Sequence, residues 1–363
     1  MPRSRGRGRR SIVLSFMLAF ATVTMLGVAP VSAGGSGPLT RFEFELNNSC
    51  LRGYDAPAST DIKVTLRGPD GAFQGSFVNT TGGDGSWGYD CFWGDINAGD
   101  RLIAKVGTNT RTYVVPPLNF SINRVTDVIS GKTAANSEVT FYVWGCQSTW
   151  NCDSKPNRTR MTNNQGNFST DYTNTYDLRG HDEVEVDLYT SQGDIIYREL
   201  DVPNMTVGQW YSEVYGDAKP NTDVTVWLFN SQGSQIAKLR DHSDWWDGDW
   251  GGKFGRHDIL PGMFVGSDIA GDALWKVFDM NPNFNTGADT VSFKCWKNKP
   301  FYFYAENIDN GDWVDTSGVT DGNGNVTLDL MALDNYDLRS DDTVDIECRN
   351  PLGDDQRSLF EVP

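Results

Sequence analysis

The chain has 363 residues, with 48 acidic and 31 basic side chains and a formal net charge of −17 at pH 7. That balance repels phosphate backbones and argues against a nucleic-acid partner. Glycine is abundant and apolar residues alternate in short runs, so helical bundles are disfavoured and an all-β chain is expected.

Residues 1–33 are expected to be a secretory signal peptide rather than part of the fold. Arg3, Arg5, Arg7, Arg9 and Arg10 precede an apolar stretch over residues 12–30, and Val31-Ser-Ala33 offers small residues at the positions a signal peptidase reads. Arg9-Arg10 weakly resembles a twin-arginine signal, and an ordinary basic leader is the plainer reading. The stretch is long enough for an uncleaved anchor, but the cleavage site argues against one. Cleavage leaves 26 bases against 48 acids, a net −22, with no transmembrane segment expected in the mature chain.

The mature chain reads as four units, 34–117, 118–204, 205–284 and 285–363. A phrase recurs near the end of each: Asp95-Ile-Asn-Ala-Gly-Asp100, Asp177-Leu-Arg-Gly-His-Asp182, Asp268-Ile-Ala-Gly-Asp272 and Asp337-Leu-Arg-Ser-Asp-Asp342. Alternating strands come after it each time, as in an array of small β domains. Unit two opens with Gly131-Lys-Thr-Ala-Ala-Asn-Ser-Glu-Val-Thr140, and unit three with Gly216-Asp-Ala-Lys-Pro-Asn-Thr-Asp-Val-Thr225. The strand after the second places Val224, Val226 and Leu228 on one face. Mid-unit, Gly85-Ser-Trp87, Gly166-Asn-Phe168, Gly252-Lys-Phe254 and Gly324-Asn-Val326 suggest a glycine at a hairpin tip followed by an inward residue. Val115-Pro116, Val202-Pro203 and Val362-Pro363 close three units, and Pro282 is expected to close the third.

Six cysteines in an exported chain imply disulfides. Val291, Phe293 and Cys295 share one strand face and Val344, Ile346 and Cys348 another, which predicts a bridge from Cys295 to Cys348 between packed sheets. Cys146 and Cys152 are expected to close a loop, leaving Cys50 with Cys91. Zinc is the competing reading, but the spacing fits no zinc knuckle and only His181, His242 and His257 are available.

The ordered succession of the opening turn, the Gly-x-aromatic element and the Asp-Leu-x-x-x-Asp strand resembles tandem bacterial immunoglobulin-like repeats. It is also similar to the prealbumin-like domains attached to some carboxypeptidases. The resemblance covers most of residues 40–363 and is poorest in unit four, where Trp296-Lys-Asn-Lys-Pro300 replaces the opening turn. It implies four Ig-like β-sandwiches in tandem. Such repeats serve as spacers, adhesins and accessory modules of exported envelope proteins, and they share no catalytic residues.

One segment stands out for binding. Asp241-His-Ser-Asp-Trp-Trp-Asp-Gly-Asp-Trp250 concentrates Trp245, Trp246 and Trp250 with Asp244, Asp247 and Asp249. Indole faces stack on sugar rings and carboxylates accept hydroxyl protons. The same carboxylates could chelate Ca²⁺. The plainer reading has the tryptophans plugging the core. Trp150, on the loop closed by Cys146 and Cys152, is a second candidate. Asp321-Gly-Asn-Gly-Asn-Val-Thr-Leu-Asp329 starts like a calcium loop but has Val326 where glycine is required, so it reads as an Asn-Gly turn. No nucleophile elbow or zinc-helix motif occurs, so no catalytic residue is expected. The expectation is a secreted or cell-surface spacer or adhesive protein whose partner is an envelope or extracellular protein or a glycan. A carbohydrate- or calcium-binding accessory module is the alternative.

Overall fold

The computed structural model describes residues 39–148, 151–245, 248–269 and 274–363. It is nearly all β, and its strands arise where apolar and polar residues alternate. The first quarter holds β1 (Arg41–Glu45), β2 (Cys50–Tyr54), β3 (Asp61–Arg67), β4 (Phe73–Thr80), β5 (Trp87–Cys91), β6 (Arg101–Val106) and β7 (Asn109–Val114). β1, β2 and β5 share one sheet, and β4-β3-β6-β7 faces it. In β3 the buried Ile62, Val64 and Leu66 alternate with Asp61, Lys63, Thr65 and Arg67, so one face meets Phe42, Phe44 and Trp87.

The second quarter holds β8 (Asn119–Asn123), β9 (Val128–Lys132), β10 (Glu138–Ser148), β11 (Asn151–Ser154), β12 (Arg158–Met161), β13 (Asn167–Asp171), β14 (Glu183–Tyr189) and β15 (Ile195–Asp201). β13-β9-β8 is one sheet. The rest joins the sheet of β1, which runs β11-β10-β14-β15-β1-β2-β5 with β12 also paired to β10. The third quarter holds β16 (Thr206–Gly208), β17 (Glu213–Asp217), β18 (Asp223–Phe229), β19 (Gln235–His242), β20 (Asp249–Lys253), β21 (Phe264–Ser267) and β22 (Trp275–Lys276). The fourth holds β23 (Asn283–Asn285), β24 (Thr290–Lys294), β25 (Pro300–Glu306), β26 (Trp313–Val319), β27 (Asn325–Asp329), α1 (Leu330–Asp334), β28 (Thr343–Arg349) and β29 (Asp355–Glu361). Their sheets are β19-β18-β21-β22, β23-β24-β27 and the shared β20-β17-β16-β29-β28-β25-β26. Val277 packs with the third core and Met280 with the fourth, so the fourth sandwich starts ahead of residue 285.

Neighbouring sandwiches are therefore not merely linked end to end. β1 pairs in parallel with β15, and β16 with β29, so each pair of quarters shares one sheet. A buried aspartate fixes each junction. Asp194 accepts the Phe42 N–H at 2.9 Å, and Asp354 accepts the Met205 N–H at 2.8 Å. Both carboxylates are fully buried and both carry an arginine: Arg111 on Asp194 and Arg124 on Asp354. Arg111 belongs to the same pair as its aspartate. Arg124, in the turn after β8, reaches across from the first pair to the second. The first pair has a single continuous core, because β15 turns Ile196 and Leu200 inward. In β29 Gln356 takes the place of Ile196 and Phe360 that of Leu200, where it packs against the fourth core, and the cores of quarters three and four stay separate, with Trp296 against both.

The repeated phrases have local causes. The last aspartate of the phrase is buried in three quarters, where it accepts the N–H three residues earlier: Asn97 to Asp100 and Arg179 to Asp182 at 2.8 Å, Arg339 to Asp342 at 2.9 Å. Its backbone oxygen accepts the N–H of the closing valine, Val115, Val202 or Val362. In the third quarter Asp272 lies outside the described residues, and Asp268 accepts the Thr225 N–H instead.

The mid-unit glycine sits on an arch between sheets rather than at a hairpin tip. It carries φ of 78°, 81°, 96° and 83° at Gly85, Gly166, Gly248 and Gly324. A Cβ there would lie 2.0–2.3 Å from a carbonyl oxygen of the opening turn. The third-quarter counterpart is thus Gly248, not Gly252, since Gly248 has the positive φ and the carbonyl contact of the others. The residue two after each glycine is buried: Trp87, Phe168, Trp250 and Val326.

All three disulfides pair as expected. Cys295–Cys348 joins facing sheets, Cys146–Cys152 spans the β10–β11 hairpin, and Cys50–Cys91 links neighbouring strands of one sheet.

Candidate functional site

The Trp/Asp segment forms the third arch, from β19 in one sheet to β20 in the other. Its start is anchored by a device present in every quarter. The Ser243 hydroxyl accepts the Thr222 N–H at 2.9 Å and donates to the Lys219 carbonyl at 2.7 Å. Thr81, Thr162 and Thr320 do the same, accepting from Thr60, Ser137 and Lys299. Asp244 then accepts the Gly248 N–H at 2.9 Å, and Asp241 accepts that of Gly251 at 2.7 Å. These bonds tie the carboxylates to the arch backbone. Asp249 stands on β20 opposite Asp217, whose carboxyl is pushed up by burial and then by the charge of Asp201.

The arch separates the tryptophans. Trp250 is 5 % exposed and lies in the third core, so its ring faces protein rather than a ligand. Trp245 is 57 % exposed, beside the exposed Asp244. Trp246, Asp247 and Trp150 lie outside the described residues. Among the described residues, the only three potential metal-binding side chains that converge are Cys146, Cys152 and Glu183, and the two sulfurs are bonded to each other. Asp321 accepts the N–H groups of Asn325 and Asn323 at 2.7 and 2.8 Å, a closed polar turn that holds its carboxyl below the usual range.

Sequence reasoning missed an acidic face on one of the shared sheets. The outer face of the first shared sheet carries Glu43 and Glu45 on β1, Glu183, Glu185 and Asp187 on β14, and Glu199 and Asp201 on β15. Glu185 pairs with Glu199, Glu183 with Asp201, and Glu45 lies beside Tyr197. Burial first, then the neighbouring Asp187, pushes Glu185 up to about 9. Burial and Glu183 push Glu199 up to about 7, and burial raises Asp187 to about 6. In the second shared sheet the position of Tyr197 is taken by Arg357, which pairs with Asp345. The alternation Glu183-Val-Glu-Val-Asp187 signals one acidic strand face. Only the strand order places the other acids beside it. Apart from this face, Trp93 is 97 % exposed, and Trp210, Tyr211 and Trp313 are each more than half exposed.

No family profile matches the chain. No curated protein matches it. Among solved structures it is similar to a tetra-tandem repeat from the extending region of a large adhesion protein, at 15 % identity over 89 % of this chain and 99 % of that one, with a TM-score of 0.19. It is similar to the BSP domain of a biofilm-associated protein at 8 % identity over 89 % and 95 %, TM-score 0.18. Alpha-2-macroglobulin of E. coli is a third, at 12 % identity over 91 % of this chain and 30 % of that one, TM-score 0.18. At these scores the likenesses carry no argument about function.

Proposed function

We propose that the mature chain is an exported, non-enzymatic structural protein of the cell surface or extracellular space, in which four Ig-like sandwiches act as a stiff spacer or contact module. The observation that carries this reading is the sharing of a sheet within each pair of sandwiches, the first with the second and the third with the fourth, with a buried aspartate–arginine pair at each of these two junctions. A chain whose domains are zipped into common sheets resists bending at the joints, as a spacer requires. Three disulfides suit an oxidising compartment. No helix among the described residues is long and apolar enough to cross a membrane. Contact surfaces on such an array are the exposed aromatics and the acidic sheet face, which suit a protein or glycan partner and repel nucleic acid.

Placed between a cell anchor and an unrelated binding tip, residues 34–363 should raise capture by the tip, and the Trp245→Ala chain should do so equally. The alternative, a carbohydrate- or calcium-binding accessory module, is favoured by one observation, the exposed indole of Trp245 beside Asp244. Saturable binding on a glycan array, with or without Ca²⁺, that disappears in Trp245→Ala would replace the spacer reading.

A further inference from the structure

We propose that the cavity where the second and fourth sandwiches meet binds a small oxyanion, a carboxylate or phosphate-sized group. The cavity holds about 130 Å³, room for several waters or one such anion. Lys155, Arg179, Lys299 and Arg349 line it together with Tyr176, and Asp182 is the only acid in its wall. Four cations converge here in a chain that is otherwise strongly acidic.

The nearby carboxylates are already engaged. Asp182 accepts the N–H groups of Arg179 and Cys146 at 2.8 and 3.0 Å. Asp177 holds Arg179 at 3.0 Å. Asp355 holds His181 at 2.7 Å and Arg349 at 3.0 Å. Lys155 lies 5.0 Å from the Tyr176 ring centroid, and neither Lys155 nor Lys299 has an ion-pair partner among the described residues. Burial, followed by the like charge of Arg179, lowers the affinity of Lys299 for its proton, and the opposing pull of Asp177 is the smaller effect.

The cavity is also built. A Cβ at Gly145 would lie 2.3 Å from both the Lys155 Cε and the Tyr176 hydroxyl, so glycine is what admits these side chains against β10. Arg349 donates to the Cys146 carbonyl at 2.7 Å, and the Cys146–Cys152 bridge closes the hairpin beside it. Lys155 comes from the second sandwich and Lys299 from the fourth, so an anion held by both ties the first pair to the second. Charge-assisted bonds from several fixed donors in a partly dry site are the strong kind.

Isothermal titration of residues 34–363 with inorganic phosphate, and separately with acetate, in chloride at constant ionic strength tests the site. Saturable binding of at least one anion is expected, and the preferred one identifies the class. Lys299→Gln and Lys155→Gln should each weaken it tenfold or more. Lys299→Arg, which keeps the charge, and Lys297→Gln, an exposed lysine outside the cavity, should retain it. Thermal unfolding in chloride verifies that each variant is folded. No saturable binding of either anion by the wild type overturns the proposal, as does unchanged affinity in folded Lys299→Gln. If that variant does not fold, retained affinity in Lys155→Gln overturns it.

Discussion

At the residue scale, the arch shows how one sequence segment divides its labour. Trp250 and Trp245 are five residues apart, yet one fills the third core and the other faces solvent. Trp250→Ala should cost about 3–5 kcal/mol in urea unfolding, the range for emptying a buried aromatic site. Trp245→Ala should stay within about 0.5 kcal/mol, as surface substitutions do. Equal effects would mean that both rings pack alike. The arch hydroxyl carries a second expectation. Thr162→Val keeps the shape but strands the Ser137 N–H and the Ala134 carbonyl, for a cost of about 1–3 kcal/mol. The same chemistry predicts a comparable loss for Ser243→Ala, whereas an exposed control such as Thr173→Val should be milder.

At the element scale, the first shared sheet is shaped by charge as well as by packing. Glu185, Glu199 and Asp187 have pKa values raised to about 9, 7 and 6, so folding favours their protonated forms. Their contribution to stability is complete below the unfolded carboxylate values, near pH 4, and is lost as pH rises through 6 to 9. The urea midpoint of the first pair should therefore fall between about pH 5 and pH 9, and Glu185→Gln should flatten that fall and raise stability at about pH 8. A midpoint independent of pH in the wild type would contradict the paired-acid geometry. The disulfides rank by loop length. Cys295–Cys348, 53 residues apart, should be worth about 4 kcal/mol in the chain-entropy account, and Cys146–Cys152, six apart, about 2 kcal/mol. Serine replacements followed by unfolding measure the difference.

At the scale of the whole molecule, the Arg124–Asp354 pair joins elements 230 residues apart and sits at the sheet junction between quarters three and four. Asp354→Ala removes the buried carboxylate that accepts from both Arg124 and the Met205 N–H, a loss of about 3–5 kcal/mol. Calorimetry should show the second pair unfolding before the first in that variant, as two resolved transitions. A single transition at the wild-type temperature would mean that the junction contributes little.

Much of the fold was legible in the sequence. The alternation in Asp223-Val-Thr-Val-Trp-Leu-Phe229 determines a strand and its inward face, because side chains on a strand point alternately to its two sides. The recurring aspartate phrase marked the repeat, the short spacing of Cys146 and Cys152 their loop, and strand alternation the inward thiols of Cys295 and Cys348, which left Cys50 for Cys91. Which sheet each strand joins, and what lies beside it, was decided only by tertiary structure. The parallel pairing of β1 with β15, which brings Glu43 and Glu45 beside the acids of β14 and β15, and the cavity of Lys155 and Lys299 depend on residues more than 100 positions apart. The place of Trp250 was hidden for a smaller reason. Gly248-Asp-Trp250 and Gly252-Lys-Phe254 both fit the Gly-x-aromatic pattern, and the left-handed backbone of Gly248, pressed on the Ala218 carbonyl, decides between them.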